Sequence, residues 1–294
     1  MASKVHVGLI GAGFIACDHA ASLKRSRRVG RISVFDVDVA RAAALARDFD
    51  AVAAPSQQAL IDGCDLVWIC SPPAFHRKAV TAACRAGRAV FCEKPLAHQA
   101  TDARAIARSV REAGVPFFMG HSGRWNRVFA KMHDMVRAGD VGEPTLVWST
   151  RLGYLDAKTD PRWRLDDSVS GGAVVELGVH EIDFLRWVGG EFESVAAVGS
   201  SKALNAGKFQ DSVAAVARLR GGVAARLDLS WADPRYLWQR GVRGTAGALL
   251  VDDSRCPEIA FDRPGRKTRI VRSVDWIHPK TKENMALREQ VEGV

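Results

Sequence analysis

The sequence predicts an α/β protein in two parts: an open parallel sheet covered by crossover helices over residues 1–122, and an α+β domain with an open, mostly antiparallel sheet over residues 123–294. Three observations predict it. Short apolar, β-rich runs at 5–10, 31–36, 66–70, 89–92 and 117–120 alternate with Ala- and Arg-rich stretches of helical spacing at 16–28, 39–48, 75–86 and 99–113. Beyond residue 121 the rhythm changes to one helix at 126–138 and then to strand-like runs at 145–152, 195–201, 212–220 and 223–231, interrupted by a helix at 179–188. The chain has 294 residues, 47% of them apolar, enough to bury two cores.

The strands of the first half are short and largely apolar, as strands covered on both faces should be. Gly87 and Gly114 are placed to stop the helices before them. In the second half, alternation over 211–220 followed by Gly221-Gly222 predicts a hairpin with a two-residue turn. Residues 285–294 begin an amphipathic helical pattern that stops early, so the C-terminus reads as short or truncated.

Composition excludes several classes. The formal charge of +9 is spread along the chain, with its densest cluster at Arg263, Arg266, Lys267, Arg269 and Arg272, which reads as a solvated loop and edge strand; no nucleic-acid module is implied. No apolar run is long enough to span a membrane. Lys4 followed by the apolar stretch 5–17 imitates a secretion signal, but Gly8, Gly11 and Gly13 interrupt it. The cysteines, Cys17, Cys64, Cys70, Cys84, Cys92 and Cys256, form no Cys-x-x-Cys pair and have no His at zinc spacing, so they read as reduced packing residues of a cytoplasmic protein.

Gly11-Ala12-Gly13-Phe14-Ile15-Ala16 follows the first strand and opens the first helix, the G-x-G-x-x-G/A pattern of a dinucleotide-binding fold. Gly11 permits the tight turn, Gly13 lets backbone amides approach a pyrophosphate, and Ala16 lets the helix pack on its strand. Asp36 closes the second strand, where a carboxylate accepts hydrogen bonds from the adenosine ribose and repels a 2′-phosphate; this favours NAD over NADP, with Arg41 as the nearby residue able to accommodate that phosphate. Asp38 is placed to cap the next helix. Ser71-Pro72-Pro73 and His76 follow the third predicted strand, close to the expected nicotinamide half.

Glu93-Lys94-Pro95 lies at the carboxyl end of the fourth predicted strand, where open α/β sheets place ligands. An ammonium at Lys94 can hold the alkoxide-like charge of a hydride transfer; its competing reading is a surface lysine paired with Glu93. Glu176, His180 and Asp183 fall at intervals of four and three, on one helical face. There a carboxylate can orient an imidazole suited to acid/base work. Their spacing matches no zinc pattern, and no metal is expected. Trp125, Trp163, Trp231 and Trp238 are either an aromatic wall for a sugar or core packing.

Together these segments resemble the glucose-fructose oxidoreductase, inositol dehydrogenase and rhizopine-catabolism family, Gfo/Idh/MocA. The match runs through Gly11–Ala16, Cys70-Ser71-Pro72-Pro73 with His76, Glu93-Lys94-Pro95-Leu96-Ala97, Gly123-Arg124-Trp125-Asn126, Trp163-Arg164, and Gly171-Gly172 through His180 and Asp183. The resemblance implies a Rossmann domain, a second domain whose open sheet forms homodimers or homotetramers, and a substrate cleft between them. It implies an NAD-dependent enzyme acting on a secondary alcohol or ketone of a cyclic sugar, polyol or sugar derivative. It assigns Lys94 as the catalytic lysine and His180 as the proton-exchanging histidine, with Glu176 where the family usually has Asp. Cofactor contacts are implied for Gly11, Gly13, Phe14, Ile15, Asp36, Ser71, Pro72, His76, Glu93 and Lys94, and substrate contacts for Arg124, Trp163 and Asp183. Two alternatives stand beside it: a non-catalytic nucleotide- or sugar-sensing regulator of the same fold, and a reductase of a non-sugar substrate such as a dihydrodiol.

Overall fold

The computed structural model describes residues 4–156, 161–204, 210–252 and 256–272. The predicted pattern at 285–294 and the side chain of Cys256 lie outside the described residues. The chain divides into two compact units that meet at His121 and Ser122.

The first unit alternates strand and helix: β1 (Val5–Ile10), α1 (Phe14–Arg25), β2 (Val29–Phe35), α2 (Val39–Phe49), β3 (Val52–Ala53), α3 (Gln57–Asp62), β4 (Leu66–Ile69), α4 (His76–Arg85), β5 (Ala89–Glu93), α5 (Ala100–Ala113) and β6 (Phe117–Gly120). All six strands are parallel, in the order β3-β2-β1-β4-β5-β6. That order reverses direction between β1 and β4, the switch point at which doubly wound sheets bind dinucleotides. Val7, Leu9, Val34, Trp68 and Phe91 form a core on one side with Ala16, Ala20 and Leu23 of α1. Ile10, Val67, Ile69, Val90 and Cys92 form a second core on the other side with Ala79, Val80 and Ala83 of α4. Apolar residues on both faces of β1, β2, β4, β5 and β6 explain their largely apolar runs.

Local signals end the helices where the sequence placed them. Asp38 caps α2 by accepting from the N–H groups of Ala40 and Arg41, and Gly114 closes α5 in the left-handed conformation. β3 and α3 escaped prediction because β3 is two exposed residues and α3 less than two turns.

The second unit contains α6 (Arg127–Arg137), β7 (Pro144–Tyr154), α7 (Asp167–Ser170), α8 (Gly172–Glu176), α9 (Gly178–Gly189), β8 (Phe192–Ser200), β9 (Ser212–Leu219), β10 (Ala224–Ser230), β11 (Ala232–Gly244), β12 (Ala248–Asp252), β13 (Cys256–Asp262) and β14 (Arg269–Arg272). Its eight strands run β14-β13-β12-β11-β7-β10-β9-β8, antiparallel except for β7 beside β10. Asn126 caps α6, whose Val128, Phe129, Met132 and Met135 pack with Phe184 and Leu185 of α9 over one face of the sheet. The β9–β10 turn is three residues rather than the expected two: the N–H of Leu219 bonds to the carbonyl of Val223, leaving Arg220, Gly221 and Gly222 in the loop. The basic cluster occupies a turn and the edge strand β14, as read from sequence.

Candidate functional site

At the carboxyl edge of the parallel sheet, β1 runs into Gly11, whose φ of 100° is left-handed. A Cβ there would stand 2.8 Å from the backbone of Cys70 and Ser71, so glycine lets the loops after β1 and β4 meet. Gly13 is the N-cap residue of α1, with no side-chain cap and no acidic residue in the first turn; the space a Cβ would occupy is open. The first-turn amides are therefore available to an anion, where the helix dipole favours one. Ser71 Oγ is buried with no hydrogen-bond partner. Phe14 is exposed, and Ile15 packs against the core. These features fit a dinucleotide.

Asp36 has both oxygens engaged from the backbone: Oδ2 accepts from Ala12 N at 2.7 Å and Oδ1 from Asp38 N at 2.8 Å. Each oxygen keeps a second acceptor position for a ribose hydroxyl. Arg41 sits 3.6 Å from Asp36 and 3.1 Å from Asp38, so its charge already has two carboxylate partners.

Two residues expected at the cofactor, His76 and Glu93, turn inward. His76 is fully buried, with Nε2 2.7 Å from the carbonyl of Ser71 and Nδ1 3.2 Å from that of Leu96 and 3.4 Å from Cys92 Sγ. Burial pushes its pKa down despite these carbonyls, and the ring lies enclosed between the loop after β4 and the loop after β5, with none of its surface exposed. Glu93 also turns inward: Oε1 bonds to His19 Nε2 at 2.7 Å and Oε2 accepts from Lys94 N at 2.9 Å. Lys94 stands half-buried directly after β5, joined to Pro95 by a cis peptide.

In the second unit, α8 and α9 are separated only by Leu177, whose backbone angles stay helical, so Glu176, His180 and Asp183 keep nearly the predicted spacing. Asp183 accepts two hydrogen bonds from Arg124, Nε at 2.9 Å and Nη2 at 2.7 Å, so two residues expected as separate substrate contacts form one charged unit. Glu176 is buried 3.6 Å from Arg164, whose guanidinium lies 5.8 Å from the ring centroid of Trp163. His180 is half-buried. Trp231 is core, and Trp238 stacks with Arg151 and Arg240, so neither forms an aromatic wall.

Sequence reading missed Glu181, next to His180. It is fully buried and receives Arg240 Nε at 2.9 Å and Nη2 at 3.1 Å, Arg151 Nη1 at 3.3 Å, Trp238 Nε1 at 3.4 Å and Ser149 Oγ. Burial alone pushes its carboxyl up, but the two guanidiniums outweigh it and bring the pKa down to about 2. The available signal was period two. Val147, Ser149 and Arg151 share one face of β7, opposite Val242, Arg240 and Trp238 of β11, so polar residues continue an inward-facing stripe.

Among the described residues no group of three or more His, Cys, Asp or Glu is placed to hold a metal ion, and no helix is long and apolar enough to cross a membrane.

Comparison with known proteins follows the same two-part division. Residues 5–121 match the family model described as oxidoreductase family, NAD-binding Rossmann fold, and residues 129–250 match the GFO/IDH/MocA C-terminal domain. A 1,5-anhydro-D-fructose reductase of Ensifer adhaerens is 30% identical over 83% of this chain and 74% of its own length. A myo-inositol 2-dehydrogenase of Thermotoga maritima is 28% identical over 85% of this chain and 76% of its own. Among solved structures, levoglucosan dehydrogenase in complex with NADH and levoglucosan shares the fold, with a TM-score of 0.88 at 21% identity, covering 99% of this chain and 88% of that one. GenD2 from gentamicin A biosynthesis, in complex with NAD, aligns with a TM-score of 0.79 at 26% identity, over 86% of this chain and 73% of that one.

Proposed function

The chain belongs to the GFO/IDH/MocA oxidoreductase family, and on that footing we propose that it is an NAD-dependent dehydrogenase or reductase of a secondary alcohol or ketone on a cyclic sugar or polyol. The observation that carries this reading is the placement of Lys94 on the same carboxyl edge of the parallel sheet as the Gly11–Gly13 turn, the uncapped start of α1 and Asp36. The relatives that reduce 1,5-anhydro-D-fructose and oxidise myo-inositol support the substrate class.

Gly13 and the first turn of α1 would hold the pyrophosphate and Asp36 the adenosine ribose, with Ser71 and Pro72 on the same edge. The bound nicotinamide supplies the hydride acceptor or donor. Lys94 donates a hydrogen bond to the reacting oxygen and stabilises the negative charge that gathers there as the C–H bond breaks. In oxidation the substrate loses one hydride and one proton and becomes a ketone, and His180 is the residue that the family resemblance assigns to that proton. Glu176 steadies the His180 helix beside Arg164, while Arg124, held by Asp183, and Trp163 contact the sugar.

Asp36 favours NADH over NADPH because its carboxylate meets the 2′-phosphate with like charge. Tryptophan quenching is expected to show saturable NADH binding and weaker NADPH binding. Asp36→Ala weakens NADH by roughly tenfold, the loss of a charge-assisted hydrogen bond, and narrows the gap between the cofactors. A wild-type preference for NADPH overturns the cofactor assignment. Turnover is then screened with NAD and myo-inositol or levoglucosan, and with NADH and 1,5-anhydro-D-fructose; cofactor binding with no turnover of any polyol favours a sensing role.

The outer face of β8 and β9 exposes Val198 and Val216, 77% and 59% accessible, and a second copy of the chain covering this face gives a homodimer or homotetramer. Sedimentation is expected to show the oligomer and Val216→Lys to dissociate it; a monomeric wild type removes the idea. The free cysteines Cys17, Cys64, Cys70, Cys84 and Cys92 suit the reducing cytoplasm.

A further inference from the structure

Glu93 and Lys94 are adjacent in sequence and opposite in setting: the lysine is half-buried at the sheet edge, and the glutamate is drawn into the core. What draws it is His19 of α1, fully buried, with Nε2 2.7 Å from Glu93 Oε1. The His19 ring packs 5.3 Å from Trp68 and 5.4 Å from Phe91, which stack on each other. Its Nδ1 has no hydrogen-bond partner, so Glu93 is the polar group that orients the ring. The other Glu93 oxygen accepts the backbone N–H of Lys94 at 2.9 Å. Gly120 closes the space from β6: a Cβ there would stand 3.0 Å from Glu93 Cα, Cδ and Oε1.

We propose that His19 is a positioning residue for Lys94: through the Glu93 carboxylate it fixes the backbone from which the lysine reaches the reacting oxygen. The proposal rests on the reading of Lys94 given above. An ionised Glu93 is a strong acceptor for the Lys94 N–H, and ionisation in this buried place requires donors. Burial pushes the Glu93 carboxyl up; His19 and Lys94 outweigh burial and hold it below its usual range. Removing His19 leaves a buried carboxylate short of a donor. It takes up a proton, its bond to Lys94 N weakens, and the segment shifts.

The test compares His19→Leu, which keeps bulk without a donor, His19→Gln, which restores an amide donor, and Glu93→Gln, which removes the charge. NADH affinity is read by tryptophan quenching, kcat and KM over a range of pH with the fastest polyol of the screen above, and Glu93 protonation by the infrared carboxylic-acid stretch. His19→Leu is expected to keep NADH affinity within about threefold and to lower kcat by about tenfold or more, the scale of a sub-ångström misplacement. It gains an acid limb in kcat additional to that of the wild type, and a carboxylic-acid band that is absent when Glu93→Gln is added. His19→Gln recovers most of kcat and the wild-type profile. Glu93→Gln alone lowers kcat without the acid limb, and it decides the matter if His19→Leu does not fold.

Wild-type kcat in His19→Leu or Glu93→Gln overturns the proposal. So does a loss of equal proportion at every pH that His19→Gln does not rescue, the signature of lost packing alone. Failure of the underlying reading looks different: there Lys94→Ala itself retains turnover, and the positioning role falls with it.

Discussion

Alanine at position 94 is expected to lower turnover by roughly 10²–10³-fold, the scale of removing one preorganised donor from a developing oxyanion. NADH binding is expected to stay nearly unchanged, because the Gly11–Gly13 turn and Asp36, proposed above to hold the pyrophosphate and the ribose, lie after other strands and do not depend on the lysine side chain. The split is the informative part. Equal losses in NADH affinity and kcat would mean that the variant has disturbed the sheet edge, whereas unchanged turnover removes Lys94 from the chemistry. Arginine at this position keeps the charge but presents a broad planar fork, so Lys94→Arg should recover little.

The largest effect on stability is expected at Glu181. Glu181→Gln leaves Arg240 buried against Phe129, Phe184 and Trp238 with its carboxylate partner gone, a loss of about 3–5 kcal/mol. The pH dependence identifies the cause. The Glu181 pKa is about 2 in the folded chain, below the ordinary value of 4.5, so its contribution is present above the ordinary value and is lost as the pH falls toward about 2. Urea denaturation should therefore show a wide gap between wild type and Glu181→Gln at neutral pH that narrows in acid. A gap that is absent at neutral pH contradicts the account. Replacing the pair together, Glu181→Leu with Arg240→Met, should recover part of the loss, since two well-packed apolar side chains stand in for a compensated ion pair.

What the sequence discloses depends on how far apart the partners lie. Gly11, Gly13 and Asp38 were legible because the turn, the helix start and the cap are formed by residues within a few positions of one another. Asp36 was legible because strand and motif fix its place. Glu93 and His76 were placed at the right edge of the right sheet, yet their orientation was hidden. Glu93 is held by His19, 74 residues earlier, and His76 by the carbonyl of Leu96, 20 residues later. Arg124 and Asp183 each stand out in the sequence, but their pairing does not, since 59 residues separate them. Glu181 was overlooked for the same reason. In sequence it is one more polar residue of a helix, and only the register of β7 against β11 brings Ser149, Arg151, Trp238 and Arg240 beneath it.

The helix α9 divides its duties by side. Glu181, Phe184 and Leu185 face the sheet, while His180 and Asp183, with Glu176 just before the helix, fall on another side at about 100° per residue. The side chains that meet the sheet and those proposed to serve the substrate therefore come from different sides of one short segment. Such a segment can change on that side, where Arg124 with Asp183 and Arg164 with Glu176 would have to change as pairs, without disturbing the ion cluster at Glu181 that seats the helix. A directed-evolution library confined to that side would sample substrate range while leaving the fold's ballast in place.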